Sequence, residues 1–216
     1  MKILYYGYRE WAYKIFNNLD KKNIYLISND DYSIIDFIKP NLIFFIGWSN
    51  IIPSEIVKKY KCVCLHPSPL PKYRGGSPIQ NQILNNETES AVSLFLMDDG
   101  IDTGDILFQK KISLDGTLNC IFDRIVETGT EGIKFILSNV TNLDSISKKQ
   151  CENDATFFKR RKPQQSEITI EEIQNSDALF LHNKIRSLAN PYPNAYIKCK
   201  GGQKLYILDS RIDYEK

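Results

Sequence analysis

The chain is poor in the features that announce the commonest chemistries. Only two of its 216 residues are histidines, so candidates for an imidazole catalyst are few. No G-x-G-x-x-G follows the first strand-like run, which continues as Gly7-Tyr-Arg-Glu-Trp11 instead. A dinucleotide pyrophosphate could not approach that backbone in the usual way. A G-x-x-x-x-G-K-[ST] loop is also missing, which disfavours nucleotide hydrolysis. No run of about 18 apolar residues exists to span a bilayer as a helix. The five cysteines are odd in number, scattered and mostly in apolar settings, and read as reduced intracellular thiols. A net charge of +2 supplies no global field for nucleic acid or a membrane surface, although Lys159-Arg-Arg-Lys162 could bind phosphate locally. The opening Met1-Lys-Ile-Leu-Tyr-Tyr6 enters a strand pattern directly, without a signal-peptide pattern, so a cytoplasmic location is expected.

What is present is an ordinary globular composition, 42% hydrophobic and 25% charged, in a chain long enough for one sizeable core and a small appendage. Residues 2–6, 23–28, 42–46 and 62–65 read as short buried strands. Between them, Trp11, Ile15, Phe16 and Leu19 fall at helical spacing. A second helix through Ile34, Ile35 and Ile38 stops at Pro40. A third begins at Ser54, with the serine hydroxyl as its cap and Glu55 in its first turn. This rhythm means a mainly parallel α/β sheet with right-handed crossovers and helices on both faces. Further on, the pattern predicts a helix over 78–85 with Pro78 in its first turn, strands over 91–97 and 105–112, and a long helix over 119–137. The stretch 139–153 reads as a polar loop, 159–166 as basic and extended, 166–170 as a short strand and 176–188 as a helix. Gly201-Gly202 between two strand-like runs is a hairpin signal.

Two segments stand out as chemistry. In Cys62-Val-Cys-Leu-His66 followed by Pro-Ser-Pro-Leu-Pro-Lys-Tyr-Arg-Gly-Gly-Ser-Pro78, a strand ends at a histidine and runs into a stiff proline-rich loop. Open parallel sheets place ligands at the carboxyl ends of their strands, which favours a functional His66 over a core histidine. The second segment is an acidic turn, Met97-Asp-Asp-Gly-Ile-Asp-Thr-Gly-Asp105. A carboxylate from it could orient the imidazole or hold a water, but spacing does not choose among Asp98, Asp99, Asp102 and Asp105. Cys62, Cys64 and His66 share a strand face, which suggests zinc. However, alternate residues on a strand sit about 6–7 Å apart, too far to meet one ion without a bulge, so no metal is expected.

His66-Pro-Ser-Pro-Leu-Pro-Lys-Tyr-Arg-Gly-Gly-Ser-Pro-Ile-Gln80 and Met97-Asp-Asp-Gly-Ile-Asp-Thr-Gly-Asp-Ile106 together resemble the folate-dependent formyltransferases. That group includes methionyl-tRNA formyltransferase and the sugar N-formyltransferases. Arg160-Arg-Lys-Pro163, Leu181-His-Asn-Lys-Ile-Arg186 and Asn190-Pro-Tyr-Pro-Asn-Ala-Tyr196 extend the resemblance over nearly the whole chain. It implies a Rossmann-like catalytic core over residues 1–155. A short helix-and-hairpin extension over 156–216 would complete the substrate site or a dimer contact. It also implies transfer of a formyl group from N10-formyltetrahydrofolate to an amine, without a metal. The family's catalytic Asn, His and Asp carry over as Cys64, His66 and Asp102, so a thiol stands where the family has an amide. In the implied mechanism amine attack generates an oxyanion, which His66 stabilises, and Asp102 takes the excess proton. A thiol is a weak donor, and losing one good oxyanion donor costs about 3–4 kcal/mol in comparable sites. Asn81 or a backbone N–H is expected to compensate, or the enzyme is slow or non-catalytic.

By the same resemblance the pterin cleft is lined by Phe45, Ile46, Gly47 and Trp48 and by Asp98, Gly100, Ile101 and Asp102. Ser68, Leu70 and Pro71 form a wall, and Trp48 reads equally well as a core aromatic. The small net charge and the short C-terminal part fit compact family members that formylate an amino sugar attached to a nucleotide, rather than tRNA. Tyr8, Arg9, Tyr73, Arg74, Gly75, Gly76, Asn81, Arg161, Asn183 and Arg186 are the candidates for its diphosphate, base or sugar, with a structural role open for Arg74. Three strands precede the His66 strand, one sheet unit fewer than is usual in the family. Glycinamide ribonucleotide as acceptor is disfavoured by the C-terminal extension. The alternatives are another small amine or a non-catalytic protein that binds folate or a nucleotide sugar. Sugar formyltransferases are often homodimers, but no exposed apolar pattern in this sequence establishes one.

Overall fold

The computed structural model describes every residue except Pro191 and Tyr214–Lys216. Pro191 of the 190–196 motif and the end of the 156–216 extension therefore lie outside the described residues. The strands are β1 (Ile3–Tyr6), β2 (Ile24–Ile27), β3 (Leu42–Ile46), β4 (Cys62–His66), β5 (Arg74–Gly75), β6 (Glu89–Leu96), β7 (Ile106–Ser113), β8 (Phe157–Phe158), β9 (Ala195–Lys198) and β10 (Lys204–Ile207). The helices are α1 (Glu10–Asn17), α2 (Ser33–Ile38), α3 (Ser54–Lys59), α4 (Pro78–Leu84), α5 (Leu118–Ser138), α6 (Ile170–Asn175) and α7 (Ala178–Arg186). One six-stranded sheet has the order β2-β1-β3-β4-β6-β7. Its first four strands are parallel, and β6 and β7 are antiparallel.

Alternation along each central strand feeds two apolar layers. Ile3, Tyr5, Leu42, Phe44, Ile46, Val63 and Leu65 face the layer that holds α1 and α5. Leu4, Tyr6, Ile43, Phe45 and Cys62 face the layer under α2 and α3. The long helix α5 lies close against the sheet because its middle is small. A Cβ on Gly132 would sit 2.4 Å from Leu94 Cδ1 and 2.6 Å from Phe108 Cδ1. Any side chain there would push the helix away from the core.

Three local expectations are corrected. Ser54 does not cap α3: its hydroxyl donates to Asp99 Oδ1 at 2.8 Å, so it ties α3 to the acidic turn instead. Residues 166–170 form no strand. Glu167 makes one isolated bridge to Tyr196, and Thr169 instead opens α6 through a capping box with Glu172. That Thr-x-x-Glu signal stands in the sequence and outweighs the β-branched run before it. The basic segment also turns, into a short 3-10 helix at Pro163–Ser166.

The C-terminal part is sewn onto the core at separate points. Strand β8 pairs in parallel with β5. The Arg186 guanidinium donates to the Leu114 carbonyl at 2.7 Å, and Asn183 donates to Asn86 Oδ1 at 2.8 Å. Within the extension, buried Lys184 pairs with Glu172 at 2.6 Å and donates to the Glu167 carbonyl. Among the described residues no helix is long and apolar enough to cross a membrane.

Candidate active site

Strand order locates the site. From β1 the chain passes through α1 on one face to β2, then returns through α2 on the other face to β3 on the far side of β1, so the topology switches between β1 and β3. The carboxyl ends of β1, β3 and β4 open there into a cleft of about 880 Å³. His66, the last residue of β4, is only 6% exposed at its floor. Its Nε2 lies 2.8 Å from the Tyr73 carbonyl oxygen, which can only accept, so Nε2 carries a proton and donates it there. The nitrogen left for chemistry is Nδ1, which faces Asp102 Oδ2 at 3.5 Å. With Nε2–H committed, Nδ1 acts as acceptor in the neutral ring and as donor only in the imidazolium.

Asp102 is held from several directions. Its backbone is left-handed, with φ of 57°, a conformation that aspartate tolerates better than most residues. The Gly75 N–H donates to Oδ2 at 2.8 Å, and Gln150 Nε2 donates to the Asp102 carbonyl at 2.9 Å. Buried Arg74 clamps Gln150 and Glu152 with four hydrogen bonds between 2.7 and 3.1 Å. Glu152 is pulled below the usual carboxylate range by that guanidinium. Arg74 is thus a support beneath the acidic turn. The other aspartates have separate tasks. Asp98 Oδ1 accepts from Gly100 N and Thr103 Oγ1 and shapes the turn, while Asp99 binds Ser54 and Lys58. Asp105 accepts from Ser147. Geometry therefore leaves Asp102 as the carboxylate beside His66.

Cys64 lies two residues before His66 on the same face and also lines the cleft. Its burial, then the Asp102 carboxylate and Cys62, raise its pKa far above the ordinary thiol range, while Cys62 is pushed up to about 12 by burial. A thiol so disfavoured as thiolate is unsuited to carry the formyl group covalently. Among the described residues no group of three His, Cys, Asp or Glu side chains is placed to hold a metal ion.

Of the residues expected around the pterin, Phe45, Gly47, Trp48, Asp98, Gly100, Ile101 and Asp102 line the cleft, joined by Ile52, Val57 and Met97. Trp48 packs with Tyr6, Tyr8, Tyr32 and Phe45 and donates its indole N–H to Tyr32 at 3.0 Å. Ile46 does not line it, because strand alternation turns it into the opposite layer. Ser68, Leu70 and Pro71 form no wall. Ser68 is fully buried with its hydroxyl on the Lys72 carbonyl, and Leu70 and Pro71 border a separate cavity beside Gln109 and Lys148. The proline-rich turn leads to Tyr73, whose carbonyl accepts from His66 Nε2.

Of the residues expected to contact the acceptor, Arg9, Gly75, Gly76 and Arg161 line the cleft, and Tyr8 reaches it only through its edge-to-face contact with Trp48. A Cβ on Gly76 would sit 2.4 Å from Arg160 Cα, so this glycine lets the basic segment lie against the histidine loop. Four candidates are placed elsewhere by their own bonds. Tyr73 is buried, stacks on Phe158 and donates its hydroxyl to Glu87. Asn81 donates one amide hydrogen to the Gly76 carbonyl and does not line the cleft. Asn183 and Arg186 bind each other and pin α7 to the core. Ser49, Arg160 and Tyr192 line the cleft without having been singled out one by one. The signals for Arg160 and Tyr192 were the basic cluster and the Asn-Pro-Tyr-Pro motif. Ser49 had none beyond its place after a strand.

Comparison with known proteins follows the same lines. The sequence profile of the family described as formyl transferase matches residues 16–137. Methionyl-tRNA formyltransferase of Nitratiruptor sp. is 33% identical over 186 residues, covering 85% of this chain and 58% of the relative. The chain thus spans little more than half the length of the curated relatives it matches. Among solved structures, a methionyl-tRNA formyltransferase from Clostridium thermocellum superposes with a TM-score of 0.78 at 33% identity, covering 96% of this chain and 97% of that one. A sugar N-formyltransferase from a Shewanella species shares the fold at a TM-score of 0.77 and 19% identity, with 100% and 99% covered.

Proposed function

The chain belongs to the formyl transferase family, and on that premise we propose that it moves a formyl group from N10-formyltetrahydrofolate to the amine of a nucleotide-linked amino sugar. The observation that carries the transfer is the His66–Asp102 pair at the floor of a cleft large enough for two substrates. The apolar side, with Phe45, Trp48, Ile52, Val57 and Met97, suits a flat ring system, and the donor held there supplies the formyl carbon. His66 presents Nδ1 to the reacting atoms while Tyr73 fixes its tautomer. As imidazolium it donates to the developing oxyanion, and Asp102 holds the ring and accepts the proton that the attacking amine releases; when the bond between the formyl carbon and N10 breaks, that proton passes to N10 and the donor leaves as tetrahydrofolate. Asp102 Oδ1 has no protein partner among the described residues and is free for that step. We read residues 156–216 as an extension that completes the acceptor side, since β8, Arg160, Arg161 and Tyr192 all come from it.

The 33% identity to methionyl-tRNA formyltransferases favours a second reading, in which methionyl-tRNA is the acceptor. Against it stands a net charge of +2, which supplies no broad positive field for nucleic acid. The test offers N10-formyltetrahydrofolate with a panel of nucleotide-linked amino sugars and, separately, methionyl-tRNA, and follows tetrahydrofolate release. Turnover with a sugar nucleotide supports the proposal, and turnover with methionyl-tRNA alone replaces it by the second reading. Folate binding without turnover on any amine would leave a binding protein, as the Cys64 position allows.

A further inference from the structure

Tyr73 stands in a conformation that tyrosine rarely adopts, and its carbonyl is the one that accepts from His66. Its φ is 60°, in the left-handed region that disfavours bulky side chains. Such a backbone persists only where its surroundings over-determine it. Here the ring stacks on Phe158, with centroids 4.9 Å and planes 12° apart. The hydroxyl donates to Glu87 at 2.8 Å and accepts from Asn85 at 3.2 Å. The backbone is gripped by a single residue, Thr156, just before β8. Thr156 Oγ1 accepts from the Tyr73 N–H at 2.8 Å, and the Thr156 carbonyl accepts from the Arg74 N–H at 2.9 Å.

That grip aims the Tyr73 carbonyl. The Tyr73 C=O and the Arg74 N–H belong to one planar trans peptide, so they point in opposite directions. With the N–H held on Thr156, the C=O is turned toward His66 Nε2, 2.8 Å away. This contact decides a competition for the one proton of the neutral ring. Asp102 Oδ2 faces Nδ1 at 3.5 Å, and a carboxylate is the stronger acceptor when both are equally near. Without the carbonyl at close range the proton would move to Nδ1 and donate to Asp102, and the open lone pair would be lost from the site. Thr156 itself is exposed, so core packing does not explain a hydroxyl at this position.

We propose that Thr156 is a positioning residue for His66. By holding the Tyr73 backbone it keeps the neutral imidazole protonated on Nε2 and leaves Nδ1 open toward Asp102. The proposal rests on the formyltransferase reading only for what the open nitrogen then does. The test reads the ring directly, by nitrogen NMR on the full chain with isotopically labelled histidine side chains, at a pH where the rings are neutral. The sequence holds two histidines, so a His182→Asn sample assigns the signals. In the parent, His66 should show a protonated Nε2 and an unprotonated Nδ1. Thr156→Val keeps the branched shape and removes the acceptor, so the signals should shift toward a protonated Nδ1. Thr156→Ala removes the same acceptor with less bulk and should do likewise. Thr156→Ser retains the hydroxyl and should keep the parent pattern, as should Thr141→Val at another exposed threonine. Where formyl transfer is followed, kcat should fall about tenfold in the Val and Ala variants with the donor KM unchanged. A parent ring protonated on Nδ1 overturns the proposal, as does a ring that stays protonated on Nε2 in both the Val and Ala variants. So does a fall in kcat that Thr156→Ser shares equally. The tautomer is read without turnover, so a failed transfer assay counts against the formyltransferase reading and leaves this test standing.

Discussion

The two rims of the cleft are built on opposite principles. Around His66 and Asp102 nearly every polar group is matched. The Tyr73 carbonyl accepts from His66 and the Gly75 N–H donates to the Asp102 carboxylate, while Arg74, Glu152 and Gln150 brace the Asp102 backbone carbonyl. Across the cleft, Arg9, Arg160 and Arg161 are cationic, neighbouring and without carboxylates within 4.0 Å among the described residues. A matched rim is preorganised and gives the same field before and during reaction, as chemistry requires. A rim of cations without carboxylate partners offers its charge to a ligand, as recognition requires. The comparison predicts that substitutions on the first rim change rate and those on the second change binding.

Breaking the first rim at its centre gives the largest effect. His66→Ala should lower kcat for formyl transfer by about 10³-fold or more, within the range for a positioned acid-base group, with the donor KM little changed. Next comes Asp102→Asn, which keeps the left-handed backbone and can still accept from the Gly75 N–H. It removes only the charge and should cost about 10²-fold in kcat while the melting temperature stays put. Full activity in that variant would show that the acidic turn has been assigned wrongly. Cys64 is the one weak polar group on the matched rim, and Cys64→Asn sharpens the contrast from the other side. An amide there should raise kcat about tenfold, a fraction of the roughly 3–4 kcal/mol that a full oxyanion donor supplies. A fall in kcat would mean that the reacting oxygen does not approach this strand face.

The catalytic pair is legible in the sequence, whereas the neighbours that gather around each rim are not, for a physical reason. His66 announces itself through a strand end with stiff prolines and Asp102 through the resemblance, but the supports Gln150 and Glu152 come from a segment that reads as a polar loop. Ser49 and Arg160 are 111 positions apart and meet only because β8 docks on β5. Asn183 and Arg186 look from sequence like ligand contacts, yet their donors are spent on Asn86 and Leu114. Sequence shows which residues can bind, but a folded neighbour decides whether that capacity is already used. Ser68–Pro71 differs for a related reason: its prolines stand in the sequence, but the face it presents depends on a tertiary contact between the Leu70 carbonyl and Gln109.

The smallest predicted effect uses pH to separate the rims. Arg160, Arg161 and Tyr192 come from the C-terminal extension, and α6 and α7 there are joined by Lys184 and Glu172. Burial opposes the Glu172 charge, but hydrogen bonds from Lys184 and Thr169 outweigh it and hold the carboxyl below its ordinary value of 4.5. A carboxylate with a depressed folded pKa contributes stability that is fully present above the unfolded value and is lost as pH falls through the folded one. Acidification below about 4.5 should therefore loosen α6–α7 before the sheet. In hydrogen exchange, protection factors over residues 170–186 should fall first, while those of β1, β3 and β4 hold. Glu172→Gln should already show the loosened extension at neutral pH and lose most of the acid dependence. The bonds from His66 Nε2 to the Tyr73 carbonyl and from the Gly75 N–H to Asp102 belong to the core and should persist. If the sheet and the extension lose protection together, the rims are one cooperative unit, and the division drawn between them is chemical but not mechanical.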